Sequence, residues 1–165
     1  MLEIGGGVGG IQVELLRLGA ARSTNLELVD SYEAGARALA TEAGVADRMT
    51  RRQLDIATEP DAVEPHDVVL LHRVVCCYAD YDRLLGAAAA HARRTLVFSH
   101  PPGNVIARGM FGSENLYRRL RGNAFRAYVH DPDALVAAAE RGALRAQYRH
   151  RGNGWCVVGL AAPTS

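Results

Sequence analysis

The sequence predicts an α/β fold of the doubly wound type, in which helices cover both faces of a mainly parallel β-sheet. Three observations support this prediction. Strand-like and helix-like patterns alternate along the chain. A glycine-rich turn at residues 5–10 joins the first strand to the first helix. Near the end of the chain, Asn153-Gly154 separates two short strands, which is typical of an antiparallel hairpin.

The first strand–helix unit contains the glycines. A short strand from Leu2 to Ile4 precedes them, and a helix over residues 10–18 follows them. Ile11, Leu15 and Leu18 recur at helical spacing and predict one buried face.

The later elements follow from the same periodicities and from the residues that end helices and strands. Further strands are predicted at 25–30, 50–54, 67–72, 94–99, 144–151 and 155–161. Further helices are predicted at 31–43, 78–91 and 113–121, and from the N-cap at Asp131 to Gly142. Five strand–helix units therefore precede a terminal hairpin.

The composition excludes several classes of protein. A chain of 165 residues is expected to form one domain, residues 1–165, and its net charge of +1 gives no sign of binding to nucleic acid or a membrane. There is no apolar run long enough for a membrane helix and no signal peptide. The three cysteines form neither a disulfide framework nor a metal-binding pattern, which predicts a reduced, cytoplasmic protein without a metal.

The glycines match the loops of two nucleotide cofactors. The spacing of Gly5, Gly7 and Gly10 is the fingerprint of NAD(P)-dependent oxidoreductases, whereas Gly5, Gly7 and Gly9 form the pattern of proteins that bind S-adenosylmethionine (SAM). Both cofactors need an acidic residue after the second strand to hold a ribose, and Asp30 is predicted to supply it.

Glu3 favours SAM over the dinucleotide. A carboxylate two residues before the first glycine is unfavourable beside a dianionic pyrophosphate, but it suits a ligand with an ammonium group and a sulfonium. An NAD(P)-binding oxidoreductase remains the alternative at this point, although the chain has no lysine for a Tyr-x-x-x-Lys pair.

In motif order, the chain resembles the class I SAM-dependent methyltransferases that act on small molecules. Residues 3–9 match the first motif, Val29-Asp30 the ribose-binding acid, Asp55-Ile56 the adenine-binding segment, and residues 67–73 the fourth-strand motif. The resemblance implies a Rossmann-like, seven-stranded sheet of order 3-2-1-4-5-7-6 with strand 7 antiparallel. It also implies that SAM is bound by Glu3, Gly5, Gly7, Gly9, Asp30, Ser31, Asp55, Ile56 and His72.

The chain departs from this family at its beginning. Family members usually carry several tens of residues before the first motif, and those residues help to cover the cofactor and shape the acceptor pocket. The sequence is therefore predicted to be an N-terminally truncated methyltransferase domain, either a monomer or a homodimer. A non-catalytic fragment that still binds SAM is a second alternative.

Histidines are the candidate general bases for a small-molecule acceptor with a hydroxyl or amine group. His72 and His100 are the predicted catalytic residues because each follows a strand whose carboxyl end should face the ligand. His130 is a weaker candidate in front of the last helix. Cys76 and Cys77 are expected to be buried, small apolar residues rather than reactive thiols.

Overall fold

The computed structural model describes residues 1–163 and contains one seven-stranded sheet of order β3-β2-β1-β4-β5-β7-β6. The strands are β1 Leu2–Ile4, β2 Ser23–Glu27, β3 Met49–Gln53, β4 His66–Leu71, β5 Ala92–His100, β6 Arg145–Arg151 and β7 Cys156–Ala161. β1 to β5 run parallel, and β7 is antiparallel to both β5 and β6. The predicted strand order and the antiparallel strand 7 are confirmed.

Five helices connect the strands: α1 Gly10–Arg17, α2 Glu33–Glu42, α3 Tyr81–Ala90, α4 Val105–Leu120 and α5 Pro132–Ala139. The main core lies where α3 and α5 pack over the centre of the sheet. Val69, Leu71, Leu96 and Phe98 are fully buried there, as the uninterrupted apolar runs of β4 and β5 predict. A smaller cluster around Val13 and the other buried residues of α1 and α2 covers the opposite face.

The fourth helix is longer than its sequence predicts. A helix over residues 113–121 was expected, but α4 begins at Val105 and is capped by Asn104, whose Oδ1 accepts a hydrogen bond of 2.8 Å from the Ala107 N–H. The chain therefore turns into a helix directly after the Pro-Pro interruption. The prediction was wrong because Gly109 and Gly112, both inside α4, disfavour a helix locally.

The terminal hairpin is confirmed and positions the last strand. Asn153-Gly154 lies at the tip of a four-residue connection, closed by a 3.1 Å hydrogen bond from the Gly152 N–H to the Trp155 carbonyl. Because β7 runs antiparallel to β5, its first residues return to the carboxyl end of β5, where Cys156 pairs with His100. The hairpin turn therefore lies at the same edge of the sheet as the carboxyl ends of β1 to β5.

Asp131 caps α5, as its sequence predicts, and its Oδ1 accepts from the backbone N–H groups of Asp133 and Ala134 at 3.0 Å. We expect Asp131→Ala to lower the free energy of unfolding by about 1 kcal/mol, because two N–H groups lose their acceptor. Urea denaturation monitored by circular dichroism measures this change. The control Glu42→Ala alters an exposed residue of α2 and should change stability by less than about 0.5 kcal/mol; equal losses in both variants would contradict the capping role.

Among residues 1–163, no helix is both long enough and apolar enough to cross a membrane.

Candidate active site

The glycine loop between β1 and α1 adopts a backbone that only glycine tolerates well. Gly5, Gly7 and Gly9 have φ values of 66°, 56° and 83°. A Cβ on Gly5 would lie 2.5 Å from Val74 Cγ2, so the segment after β4 packs directly against the loop. The loop and the residues that follow β4 therefore form adjacent walls of one site.

Three backbone N–H groups of the loop are already used by acceptors within the protein. Gly5 N–H donates to the Leu26 carbonyl at 2.7 Å, and Gly6 N–H donates to Asn25 Oδ1 at 3.2 Å. Gly7 N–H donates to Glu27 Oε1 at 2.5 Å. A loop that binds pyrophosphate instead directs such groups at the ligand. The N–H groups of Gly5, Gly6 and Gly7 are therefore not available to a pyrophosphate.

Two carboxylates lie against the loop. Glu3 is only 2% exposed, and its carboxyl is close enough to Gly6 that a Cβ there would lie 2.5 Å from Oε2. Burial and, to a smaller extent, the negative charge of Glu27 raise the pKa of Glu3, Arg51 partly offsets both effects, and the resulting pKa is about 7. Oε2 of Glu3 has no hydrogen-bond partner within residues 1–163. The negative charge of the carboxylates beside the loop favours a cationic ligand there.

The acidic residue at the end of β2 is Glu27 and not Asp30. The predicted strand over residues 25–30 was too long, since β2 ends at Glu27, and Leu28 and Val29 are about half exposed. Asp30 is an exposed residue in the turn before α2, where its carbonyl accepts a hydrogen bond from the Glu33 N–H. A small cavity of about 240 Å³ borders both Glu27 and Asp30, whereas only Glu27 contacts the glycine loop.

Arg51 holds the loop from the side of β3. Its Nη2 donates to the Gly7 carbonyl at 2.9 Å, and its Nε pairs with Glu33 at 2.9 Å. The side chain is only 12% exposed, so this ion pair is partly shielded from solvent. Arg51 therefore links the glycine loop, β3 and the start of α2.

Asp55 follows β3 and is held by two hydrogen bonds. Its Oδ1 accepts from the Ala57 N–H at 2.9 Å, and its Oδ2 accepts from the Tyr78 hydroxyl at 2.7 Å. Burial and this hydrogen bond raise the pKa of Tyr78 to about 12, so the hydroxyl stays protonated and remains a donor. Both carboxylate oxygens keep free lone pairs for a ligand.

Ile56 and Ser31, two of the predicted cofactor residues, lie in contrasting environments. The Ile56 side chain is 1% exposed and belongs to the main core, so only its backbone can face a ligand. Ser31 is exposed in the turn before α2.

His72 follows β4 and lies next to the residues that contact the glycine loop. Its Nδ1 is 3.2 Å from Ser99 Oγ, and Ser99 Oγ also accepts a 2.8 Å hydrogen bond from the Arg73 N–H. Partial burial lowers the pKa of His72, and the adjacent Arg73 lowers it further. The imidazole is therefore neutral near pH 7. The Arg73 guanidinium stacks over Trp155 at 4.7 Å, which brings the hairpin turn to the same region.

His100 does not join His72, although both were predicted as catalytic residues. Successive residues of a strand point to opposite faces, so the contact of Ser99 with His72 places the His100 side chain on the other face of β5. There His100 is 3% exposed and lines a cavity of about 470 Å³. Its Nδ1 is 2.8 Å from the Pro101 carbonyl, and burial lowers its pKa.

His130 contributes to the architecture. Its Nε2 lies 3.1 Å from the Val75 carbonyl and 3.0 Å from the Tyr78 carbonyl, and its ring stacks on Tyr128. The segment that returns from α4 is thereby attached to the turn after β4.

Similar solved structures share this architecture along almost the whole chain. A magnesium protoporphyrin IX methyltransferase from Synechocystis PCC 6803, solved with bound S-adenosylhomocysteine (SAH), matches 98% of this chain and 73% of its own at 17% identity and a TM-score of 0.75. An O-methyltransferase family protein from Burkholderia thailandensis matches 99% of this chain and 51% of its own, with 13% identity and a TM-score of 0.81. The mitomycin 7-O-methyltransferase MmcR matches 98% and 48%, with 20% identity and a TM-score of 0.72. The fold is that of the class I SAM-dependent methyltransferases.

These similarities lie in structure and not in sequence. No protein-family model matches the chain, and no curated protein matches it at a significant level. The chain spans about half the length of several of the methyltransferases it resembles and 73% of the Synechocystis enzyme. What these proteins share with this chain is therefore its fold.

Three residues of this methyltransferase fold enter the site without having been predicted: Glu27, Asn25 and Arg51. The sequence could have indicated Glu27, because this carboxylate directly follows the buried Leu26. The two apolar residues after Glu27 continue the strand-like pattern but lie outside β2. Asn25 is a polar residue inside a buried strand, which also marks a specific partner. The role of Arg51 depends on contacts between distant segments.

The cysteines divide into two classes. Cys76 and Cys156 are buried, as expected for Cys76, whereas Cys77 is exposed, so its predicted burial was wrong. Among residues 1–163, no group of histidines, cysteines and acidic residues is arranged to hold a metal ion.

Proposed function

We propose that this chain binds SAM at the glycine loop and transfers its methyl group to a small-molecule acceptor. The observation that carries the proposal is the polarity of the loop. The N–H groups of Gly5, Gly6 and Gly7 donate to protein acceptors, while Glu27, together with Glu3 in its ionised form, makes the surroundings negative. SAM is cationic at its sulfonium and ammonium groups, so it suits this environment.

The same observation disfavours an NAD(P)-binding oxidoreductase. A dinucleotide pyrophosphate carries two negative charges and needs free N–H groups from the loop. Gly7 N–H is instead bound to the carboxylate of Glu27, so it is not free to bind the pyrophosphate, and the buried carboxyl of Glu3 beneath the loop is unfavourable beside two negative charges.

The proposal assigns the ribose, the adenine and the positive charge of SAM to separate groups of the site. Glu27, at the end of β2, is placed to accept hydrogen bonds from the ribose hydroxyls. Asp55 is placed to accept from the adenine amino group, with the Ile56 backbone beside it. Glu3 lies beneath the loop and acts through its charge, since the carboxyl is buried. The unpartnered Oε2 of Glu3 supports the fit, because a buried acceptor without a partner is rare.

His72 is the proposed base for the acceptor. Bound SAM supplies an electrophilic methyl group, so the remaining task of the protein is to orient the acceptor and remove its proton. Ser99 Oγ has two lone pairs and can accept from both the Arg73 N–H and His72 Nδ1–H, which leaves Nε2 of His72 free to take a proton. The lowered pKa keeps His72 neutral and available.

Cofactor choice tests this proposal directly. At 100 times its dissociation constant, SAH should stabilise the protein by about 2.7 kcal/mol, which corresponds to a rise in Tm of roughly 5–10 °C. NAD⁺ and NADP⁺ should leave Tm unchanged, and calorimetric titration should show the same preference. Stabilisation by a dinucleotide but not by SAH would contradict the proposed function.

Isotope-labelled SAM, incubated with a panel of small phenols, alcohols and amines, tests for methyl transfer. With an accepted substrate, we expect His72→Ala to reduce kcat by about 100-fold or more, the usual contribution of a general base. Binding of SAH should change little in this variant. If His100→Asn has the larger effect on kcat, the base lies on the other face of β5. Binding of SAH without transfer to any acceptor would instead indicate a non-catalytic SAM-binding protein.

A further inference from the structure

Helix α4 is amphipathic, but its apolar side points away from the domain. At about 100° per residue, its apolar side chains and its small residues occupy one continuous arc of about 140° without a charge. This arc, here called the outer face, contains Val105, Ile106, Gly109, Met110, Ser113, Leu116, Tyr117 and Leu120. Its six large side chains are between 57% and 84% exposed.

The opposite side of α4 makes the contacts with the rest of the chain. Ala107 is buried, and the Asn115 side chain forms two hydrogen bonds with the backbone of Ala127, at 2.7 and 2.9 Å. Arg118 lies over the Phe125 ring at 4.8 Å. These contacts fix the rotation of the helix, so the outer face cannot turn inward without breaking them.

The outer face has the area that one side of a stable dimer needs. At ordinary residue areas of roughly 150–230 Å², the exposed fractions of its six large side chains give roughly 750 Å². A typical monomer exposes apolar patches of roughly 300–600 Å², whereas a standard interface buries roughly 800 Å² on each partner. The outer face is therefore larger than the apolar patch that a monomer usually exposes, and its area matches the surface that each partner buries in a specific interface.

The two glycines near the midpoint of α4 have no packing role within one copy. A Cβ on Gly109 or Gly112 would meet no atom within 4 Å, so neither glycine is required by packing in this chain. Glycine inside a helix costs stability relative to alanine. Small residues let two helix backbones approach closely, and a central position is where two antiparallel helices of a twofold pair cross.

We propose that a second copy of this chain covers the outer face, with the two α4 helices packed antiparallel about a twofold axis near Gly112 and Ser113. In this register, Val105 of one copy meets Leu120 of the other, and Leu116 fits against the gap left by Gly109. Each contact occurs twice, as a twofold interface requires. Arg119 borders the outer face and lies at the rim, which suits the charge-poor centre and polar edge of protein interfaces.

Sedimentation equilibrium of the full chain tests the dimer. At 50 μM we expect twice the monomer mass for the wild type and the monomer mass for Leu120→Glu. Leu18→Glu is the matched control, because Leu18 on the surface near α1 is 82% exposed and Leu120 is 79% exposed; this variant should remain dimeric. A wild type that is monomeric at 50 μM, or a Leu18→Glu variant that dissociates equally, would overturn the proposal.

A second pair of variants tests the register. Gly109→Leu should raise the dissociation constant of the dimer at least tenfold, although the side chain meets only open space within one copy. In a Cys77→Ser background, Ser113→Cys should form a disulfide between copies under mild oxidation, whereas Glu42→Cys on α2 should not. A dimer that is unaffected by Gly109→Leu would place the interface elsewhere. Co-sedimentation of a monomeric wild type with anionic lipid vesicles would show that lipid, and not a second copy, covers the outer face.

Discussion

Replacing Glu27 by Gln is expected to weaken SAH binding by about 30-fold or more. A carboxylate that accepts hydrogen bonds contributes about 1.5–3 kcal/mol for each bond, and a ribose offers two hydroxyl donors. The amide keeps the shape of the side chain but removes the charge, and it also weakens the contact with the Gly7 N–H. Calorimetric titration at pH 7.5 measures the dissociation constants of both proteins.

Asp30→Asn is the matched control, because it makes the same chemical change three residues later in the same turn. We expect it to alter the dissociation constant by less than about threefold, since Asp30 lies beyond the end of β2. Thermal unfolding of both variants without ligand separates a binding effect from a loss of folding. If Asp30→Asn has the larger effect, the ribose is held by the residue that the sequence motif originally indicated.

Glu3 is expected to make the free protein less stable as the pH rises. Its pKa is about 7 in the folded protein against an ordinary value of 4.5. Between these values the folded state holds a proton that the unfolded state has released, so the free energy of unfolding falls with increasing pH. The full loss in the free energy of unfolding, reached above pH 7, is about 3 kcal/mol. Below pH 4.5, Glu3 is protonated in both the folded and the unfolded state, so its titration no longer changes this free energy.

Urea denaturation from pH 5 to pH 8 tests this prediction in the wild type and in Glu3→Gln, a neutral side chain of similar size. The variant should gain about 3 kcal/mol over the wild type at pH 8 and much less at pH 5. The exposed control Glu42→Gln should follow the wild type throughout. If the free energy of unfolding depends on pH in the same way for the wild type and Glu3→Gln, ionisation of the Glu3 carboxyl does not destabilise the folded protein.

The same pH range should reveal the charge preference of the loop. Binding of cationic SAM favours the ionised form of Glu3, so its affinity should rise between pH 6 and pH 8 in the wild type. Glu3→Gln should show a weaker dependence. A steeper dependence in the variant would contradict the proposed electrostatic role.

The class of fold could be predicted from local patterns because its most regular strands and its terminal turn each have a clear sequence signature. β4 contains a run of four apolar residues and β5 a run of three, as buried strands do, and Val69, Leu71, Leu96 and Phe98 are fully buried. The Asn-Gly turn before β7 defines an antiparallel pair, which separates this sheet from an all-parallel one. The strand order itself came from resemblance to the methyltransferases and is confirmed by the pairing of the strands.

The candidate site could be predicted only in part, because its details depend on where strands end. Leu28 and Val29 continue the apolar pattern of β2, yet pairing with β3 stops at Glu27, opposite Gln53. A strand end is set by the last hydrogen bond of the ladder and not by the residues that follow it. This three-residue difference moves the proposed ribose acceptor from Asp30 to Glu27.

Local patterns in the sequence were enough to predict the class of fold, the position of the glycine loop and a cationic ligand, because each depends on residues close together in the chain. The three-dimensional arrangement was needed to show which carboxylate contacts the loop, that His72 and His100 face opposite sides of β5, and that α4 turns its apolar face outward. These features depend on strand register and helix rotation. Both are set by contacts between segments that are far apart in sequence.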